Sequence, residues 1–126
     1  MIERTQDYRR IKRFPEWPLV VDSEIFYLME TKDGKDMGVW AFHQWWDGLL
    51  IHASLGPECR GRDAVNSAKE AFRWIFENTG YKKIYAEISN EKRPAQFVAS
   101  WAGMDYIYSN QNKRYYLTES DVRAVA

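Results

Sequence analysis

A strand, a tight turn, a long helix and a second strand follow one another between Leu49 and Ser89, and this run constrains the fold more than any other feature. Over Asp63–Thr79 the apolar residues Ala64, Ala68, Phe72, Ile75 and Phe76 fall at helical spacing. Gly80 stands where a helix favours a left-handed residue at its end. The segment before, "LLIHASL" (49–55), has strand composition. The one after, "KKIYAEIS" (82–89), alternates, with Ile84, Ala86 and Ile88 on one face and Tyr85 and Glu87 on the other. Strand, helix and strand in so short a span form a crossover, which makes the two strands parallel neighbours.

The flanking segments read as antiparallel. "EIFYLMET" (24–31) and "MGVWAFHQWW" (37–46) are strands separated by the turn "KDGKD" (32–36), and Asp47-Gly48 is a hairpin signal leading into 49–55. A second helix runs from Pro94 to Ala102 and is ended by Gly103. "MDYIYS" and "KRYYLT" form the last two strands around the turn "NQN". Residues 4–13 predict a short helix, and Pro15 and Pro18 then interrupt the chain. The expected fold is α+β: one mixed, mostly antiparallel sheet with helices on both faces. The 126 residues fit a single domain, with 1–23 as a shortened N-terminal helical segment.

Composition removes several function classes. Formal net charge is zero, so the chain as a whole offers no attraction to nucleic acid or to an anionic membrane. The segment "RTQDYRRIKRF" is locally basic, with Arg4, Arg9, Arg10, Lys12 and Arg13 against Asp7, and reads first as a solvated helix face. No apolar run approaches the roughly 18 residues of a membrane helix, and the charged start is unlike a secretory leader. Cys59 is the single cysteine and there are two histidines, which leaves no basis for an internal disulfide or a zinc cluster. A cytoplasmic setting follows as the expectation, a host cytoplasm if the chain is phage-encoded.

The turn at the head of the long helix carries the chemistry. In "LGPECRGRDAVNSAKEAFRWIF" (55–76) a strand end meets an arginine-and-glycine turn and then a helix N-terminus, where backbone N–H groups can hold a phosphate. This order of elements, with "PECRG" (57–61) at its middle, resembles the GNAT superfamily of N-acetyltransferases from about Ile25 to Leu117. "IYAEIS" and "RPAQFVASWAGM" (93–104) look like later landmarks of that family, with Gly103-Met104 where a Gly-Phe pair is usual. The resemblance implies acetyl-CoA as cofactor. Ala53 and Leu55 would meet the pantetheine arm, and Arg60, Gly61, Arg62, Asp63, Ala64 and Val65 would lie along the pyrophosphate.

The same comparison marks departures. The family's Gln/Arg-x-x-Gly-x-Gly/Ala pattern falls on Arg60 to Val65, so Asp63 and Val65 stand at small-residue positions. Val65 would narrow the approach to the backbone. Asp63 would repel a diphosphate, or cap the helix and occupy the anion's donors. The Tyr that protonates the leaving thiolate in many members falls at Ala99, and an Asn before the late helix falls at Lys92, with Asn90 nearby. Tyr85, Tyr106 and Tyr108 are the alternative acids.

As catalytic base, His52 comes first because an imidazole titrates near neutral pH. Glu87 follows, then Glu58 and His43, each with a plain structural alternative. The short stretch before the first hairpin implies an abbreviated acceptor side. Trp45 and Trp46 would then extend an apolar surface there or pack against Trp17.

Two functions follow from the resemblance. One is acetyl-CoA-dependent transfer to an amine, with a macromolecular acceptor favoured by the open site. The other is a catalytically inactive GNAT-fold protein in protein–protein interaction or phage particle assembly, with a protein partner or a second copy of itself.

Overall fold

The computed structural model describes residues 1–14, 25–109 and 112–118. Among these, seven strands form one sheet in the order β1-β2-β3-β4-β5-β7-β6. The strands are β1 (Ile2–Thr5), β2 (Phe26–Lys32), β3 (Lys35–Trp45), β4 (Gly48–Leu55), β5 (Lys83–Ser89), β6 (Asp105–Ser109) and β7 (Asn112–Thr118). Three helices accompany them: α1 (Tyr8–Ile11), α2 (Arg62–Asn78) and α3 (Arg93–Trp101). The β4–β5 pair is parallel and every other pair is antiparallel. This is the mixed α+β sheet that the crossover requires.

Alternation along the strands gives the sheet two apolar faces. Leu28, Trp40, Phe42, Leu49, Ile51, Ile84, Ala86, Tyr115 and Leu117 point to one face and bury α2 and α3. α2 meets them with Ala64, Val65, Ala68, Ala71, Phe72 and Ile75, the stripe that a 3.6-residue period produces. Trp40 Nε1 donates to Ser67 Oγ at 2.9 Å, so the polar atoms where this helix crosses the sheet are satisfied in the core. Tyr27, Met29, Val39 and Ala41 point the other way and take Ile11 of α1. Helices therefore lie on both faces, with the greater share of the core under α2 and α3.

Three local expectations need correction. The helix placed over 4–13 is shorter, and Ile2–Thr5 instead pairs with β2 through Ile2–Glu30 to Thr5–Tyr27. "IERT" has too few apolar residues to announce a strand, and its extended form comes from the edge of β2 that it covers. The hairpin turn falls one residue earlier than Asp47-Gly48, since Trp45 pairs with Gly48. Gly48 is needed for packing, because a Cβ there would lie 2.4 Å from the Lys83 carbonyl of β5. Trp46 takes the positive φ of the turn at 54°.

At the end of α2, Gly80 is not left-handed. Thr79 is extended and closes the helix itself, its N–H and Oγ1 both donating to the Ile75 carbonyl at 2.9 and 2.7 Å. Gly103 does behave as expected. At φ 100° it ends α3 with Met104 N–H on the Ala99 carbonyl and Gly103 N–H on the Ser100 carbonyl, a Schellman motif. Pro15, Trp17 and Pro18 lie outside the described residues.

Candidate functional site

The parallel pair that fixes the topology also opens the site. β4 and β5 hydrogen-bond through Leu49–Ile84 and Leu50–Tyr85, and the ladder ends there. Beyond it the strands part into a cleft of about 450 Å³. Its walls come from β4 (Ile51, His52, Ala53, Leu55), β5 (Ala86 to Ser89), the head of α2 (Arg60, Gly61, Ala64) and α3 with its approach (Lys92, Pro94, Ala95, Phe97, Val98, Ala99). A mostly apolar cleft of this size with few polar groups is the ordinary form of a ligand site. Ala53 and Ala86 face α2 and α3, whereas His52 and Glu87 belong to the opposite face of the sheet, so the opening passes between the strands from one face to the other.

At the helix end of the cleft, Gly61 is the N-cap of α2 with φ 57° and ψ −124°, a backbone region essentially reserved for glycine. A Cβ built there meets no atom within 4 Å, so the backbone borders open space. Arg60 is exposed beside it on the cleft wall. Asp63 does not cap the helix: no side chain accepts at this terminus, and Asp63 lies in the first turn with its own N–H on the Arg60 carbonyl at 3.1 Å. The glycine conformation starts the helix one residue before the expected cap position. Val65 is buried in the core, so its side chain points away from the approach to the turn and does not narrow it. Ala53, Leu55, Arg60, Gly61 and Ala64 thus line the cleft, while Arg62, Asp63 and Val65 do not.

At the other end, His52 and Glu87 line the cleft. Glu87 Oε1 accepts from Arg114 Nη2 at 2.6 Å and Nε at 3.1 Å. The Arg114 guanidinium also lies over the rings of Trp45 and Trp46, at 5.1 and 4.9 Å from their centroids. These two indoles stack at 4.3 Å and meet Tyr85 edge-on. A bulky residue at positive φ costs about 1–2 kcal/mol, and an aromatic pair returns about 0.5–1.5 kcal/mol. The stack and the guanidinium together offset the strain at Trp46. Tyr85 Oη and Lys83 Nζ both donate to Asp47, and these contacts hold the Asp47 carboxyl below its usual range. Glu58 lies elsewhere, paired with Lys35 at 3.0 Å.

His52 meets His43, with Nε2 atoms 3.3 Å apart and ring planes 8° from parallel. Burial, and after it the neighbouring His43, push the His52 imidazole below its ordinary value. Cys59 is buried and its thiol is pushed up, first by burial, which leaves it unreactive near neutral pH. Ala99 lines the cleft and supplies no proton. Tyr85 and Tyr106 are not among the lining residues, whereas Ser89 and Lys92 are. The side chain of Tyr108 lies outside the described residues. The pairing of Glu87 with Arg114 and the meeting of the two histidines were not anticipated. The hairpin register, which sets Ala41 opposite His52 and His43 opposite Leu50, is the signal that finds the second.

Among the described residues no helix is long and apolar enough to cross a membrane, and no group of three or more His, Cys, Asp or Glu is placed to hold a metal ion.

No protein-family model matches the chain, and no curated protein matches it. Solved structures do. The N-acetyltransferase PseH of Campylobacter jejuni, in complex with acetyl coenzyme A, is similar at 16% identity and TM-score 0.68, over 78% of this chain and 70% of that one. A chimera of the spermidine N-acetyltransferase SpeG from Vibrio cholerae and hSSAT is similar at 15% identity and TM-score 0.77, over 98% and 97%. The aminoglycoside acetyltransferase AAC(6')-Ib, in complex with coenzyme A and kanamycin, reaches 12% identity and TM-score 0.67, over 80% and 70%. At these identities the likeness is one of fold, and the fold is that of the GNAT acetyltransferases.

Proposed function

We propose that the chain is an acetyl-CoA-dependent N-acetyltransferase that acts on an amine carried by a macromolecule. The observation that carries this reading is the through-sheet cleft, with an open glycine-and-arginine helix start at one end and an imidazole at the other. The residues present fit the cofactor. Gly61 leaves its backbone uncovered, Arg60 can give charge-assisted hydrogen bonds to phosphate, and Ala53 and Leu55 border the cleft on the edge of β4 that β5 has left. Arg62 lies just beyond the lining and adds positive charge.

Bound acetyl-CoA would supply an acetyl thioester. The chain's part is to orient it, exclude water with the apolar wall of Trp40, Phe72 and Val98, and take a proton from the acceptor ammonium. His52 holds that proton. Glu87 is committed to Arg114 and serves mainly to shape the acceptor end. Ser89 and Lys92 are the proton-bearing side chains on the α3 side, and Lys92 takes the place of the missing Tyr as the acid. A macromolecular acceptor suits the face opposite α2, where, among the described residues, α1 packs on β2 and β3 and not on the β4–β5 opening.

A second reading rests on Phe97 and Trp101, stacked at 5.0 Å on α3 and largely exposed, together with the exposed Trp46. In that reading the fold is kept without the reaction, and these aromatics hold a protein partner, as in phage particle assembly. Release of free coenzyme A thiol in the presence of polyamines or lysine-rich peptides decides between them. Acceptor-dependent release that disappears in Gly61→Val supports the enzyme. Absence of release with every amine, from a protein that also fails to bind acetyl-CoA, supports the partner-binding protein.

A further inference from the structure

His43 has no part in the reaction described above, yet its ring geometry is specific. A centroid separation of 5.4 Å is close to the longest that an Nε2–Nε2 distance of 3.3 Å permits for two imidazoles. The rings are therefore nearly coplanar and meet edge to edge through those nitrogens, as a hydrogen-bonded pair does and a face-to-face stack does not. A bond between two imidazole nitrogens needs one proton between them. One Nε2 donates, the other accepts, and the two tautomers are locked to each other.

We propose that His43 and His52 act as one base that takes up a single added proton and shares its charge through the Nε2–Nε2 hydrogen bond, with His43 as the residue that positions His52. Its catalytic role rests on the acetyltransferase reading; its titration does not. In the step itself, an N–H bond of the acceptor ammonium breaks, its electron pair stays on the amine nitrogen, and the proton passes to Nδ1 of His52, whose Nε2–H donates to His43 Nε2. The imidazolium then donates to the neutral His43 ring. A second proton would place two positive rings against each other and is resisted.

Among the described residues, the carboxylates of Glu87 and Asp47 are already engaged. On β5 Glu87 is neutralised by Arg114 of β7, and Asp47 at the hairpin by Lys83, with Tyr85 donating to it. β2 offers Tyr27, kept protonated by burial, and α1 offers Tyr8 against it.

The test is simple to read because these are the only histidines in the chain. A pH titration of the imidazole resonances of the full protein by NMR should give two macroscopic steps more than about 1 unit apart, with both rings reporting both steps. His43→Gln and His52→Gln should each leave one ring that titrates in a single step. Two rings that titrate independently in the wild type, each unchanged when the other is replaced, would overturn the pair.

The positioning role has its own readout. His43→Ala should lower kcat on the order of tenfold and move the kinetic pKa, with KM for acetyl-CoA unchanged, and His43→Gln should recover part of the loss by restoring one hydrogen bond. An unchanged pH–rate profile in His43→Ala would overturn that role. Failure to bind acetyl-CoA with the two-step titration intact would sink the enzyme reading and uphold the shared charge.

Discussion

The two ends of the cleft are built differently. At the α2 end the turn is exposed and uncommitted: Gly61 borders open space, Arg60 lies on the wall, and Asp63 makes no cap. At the β3–β4 hairpin end the charged groups are already matched, Glu87 with Arg114, Asp47 with Lys83 and Tyr85, and His52 with His43. An uncommitted backbone is what a charged ligand needs, because it need displace nothing on arrival. A matched set of side chains holds geometry and moves protons, but it offers little fresh binding to an anion. On the acetyltransferase reading, the difference gives binding to one end and proton handling to the other.

Substitutions at each end can break that assignment. The largest effect is expected from His52→Gln, with kcat falling by about a hundredfold or more, the usual range for a lost general base, and acetyl-CoA affinity unchanged by calorimetry. Gly61→Val should do the reverse. A β-branched residue forced into this backbone region costs about 1–3 kcal/mol, so affinity should fall on the order of thirtyfold, with the His52 titration intact. Glu87→Gln should lower kcat less than tenfold, since the carboxylate is engaged by Arg114 and the full loss of a base is far greater. A loss as large as that of His52→Gln would move the base to Glu87. Asp63→Asn should leave the denaturation midpoint within about 0.5 kcal/mol of wild type, because no cap is lost, and should tighten acetyl-CoA slightly.

The smallest effect concerns pH. His52 is pushed below its ordinary value in the fold, mainly by burial. The unfolded chain therefore takes a proton at this site before the folded chain does. Stability from this residue is complete above the unfolded value of about 6.5 and is lost as pH falls through the lower folded value. Melting temperatures measured from pH 8 to 5 should show that decline, and His52→Gln should flatten it.

Much of the architecture could be read from the sequence because its signals are local. The periodic face of α2, the alternation of Ile84, Ala86 and Ile88, and Gly103 before Met104 each act within a few residues, and the crossover then dictates the parallel pair. β1 was not legible because Ile2–Thr5 is extended only by what it pairs with. The cap at Asp63 failed for a related reason: the glycine turn, not the side chain, decides where α2 starts. Val65 was misread because spacing alone does not say which side of the first helical turn faces the core. The residues of the cleft were largely legible through the turn and strand ends, but their pairings were not. The contact between Glu87 and Arg114 joins β5 to β7, which no local signal announces, whereas a turn at Asp47-Gly48 would itself have set His43 opposite His52, and the observed register leaves them diagonal neighbours, with His52 opposite Ala41 and His43 opposite Leu50.

The central claim is that the open turn at the head of α2 holds the cofactor. Calorimetric titration of the full chain with acetyl-CoA, beside Arg60→Ala, tests it most directly. The account predicts micromolar binding that weakens about tenfold in the variant, as the loss of one charge-assisted hydrogen bond requires. No detectable heat and no rise in melting temperature with saturating acetyl-CoA would contradict it.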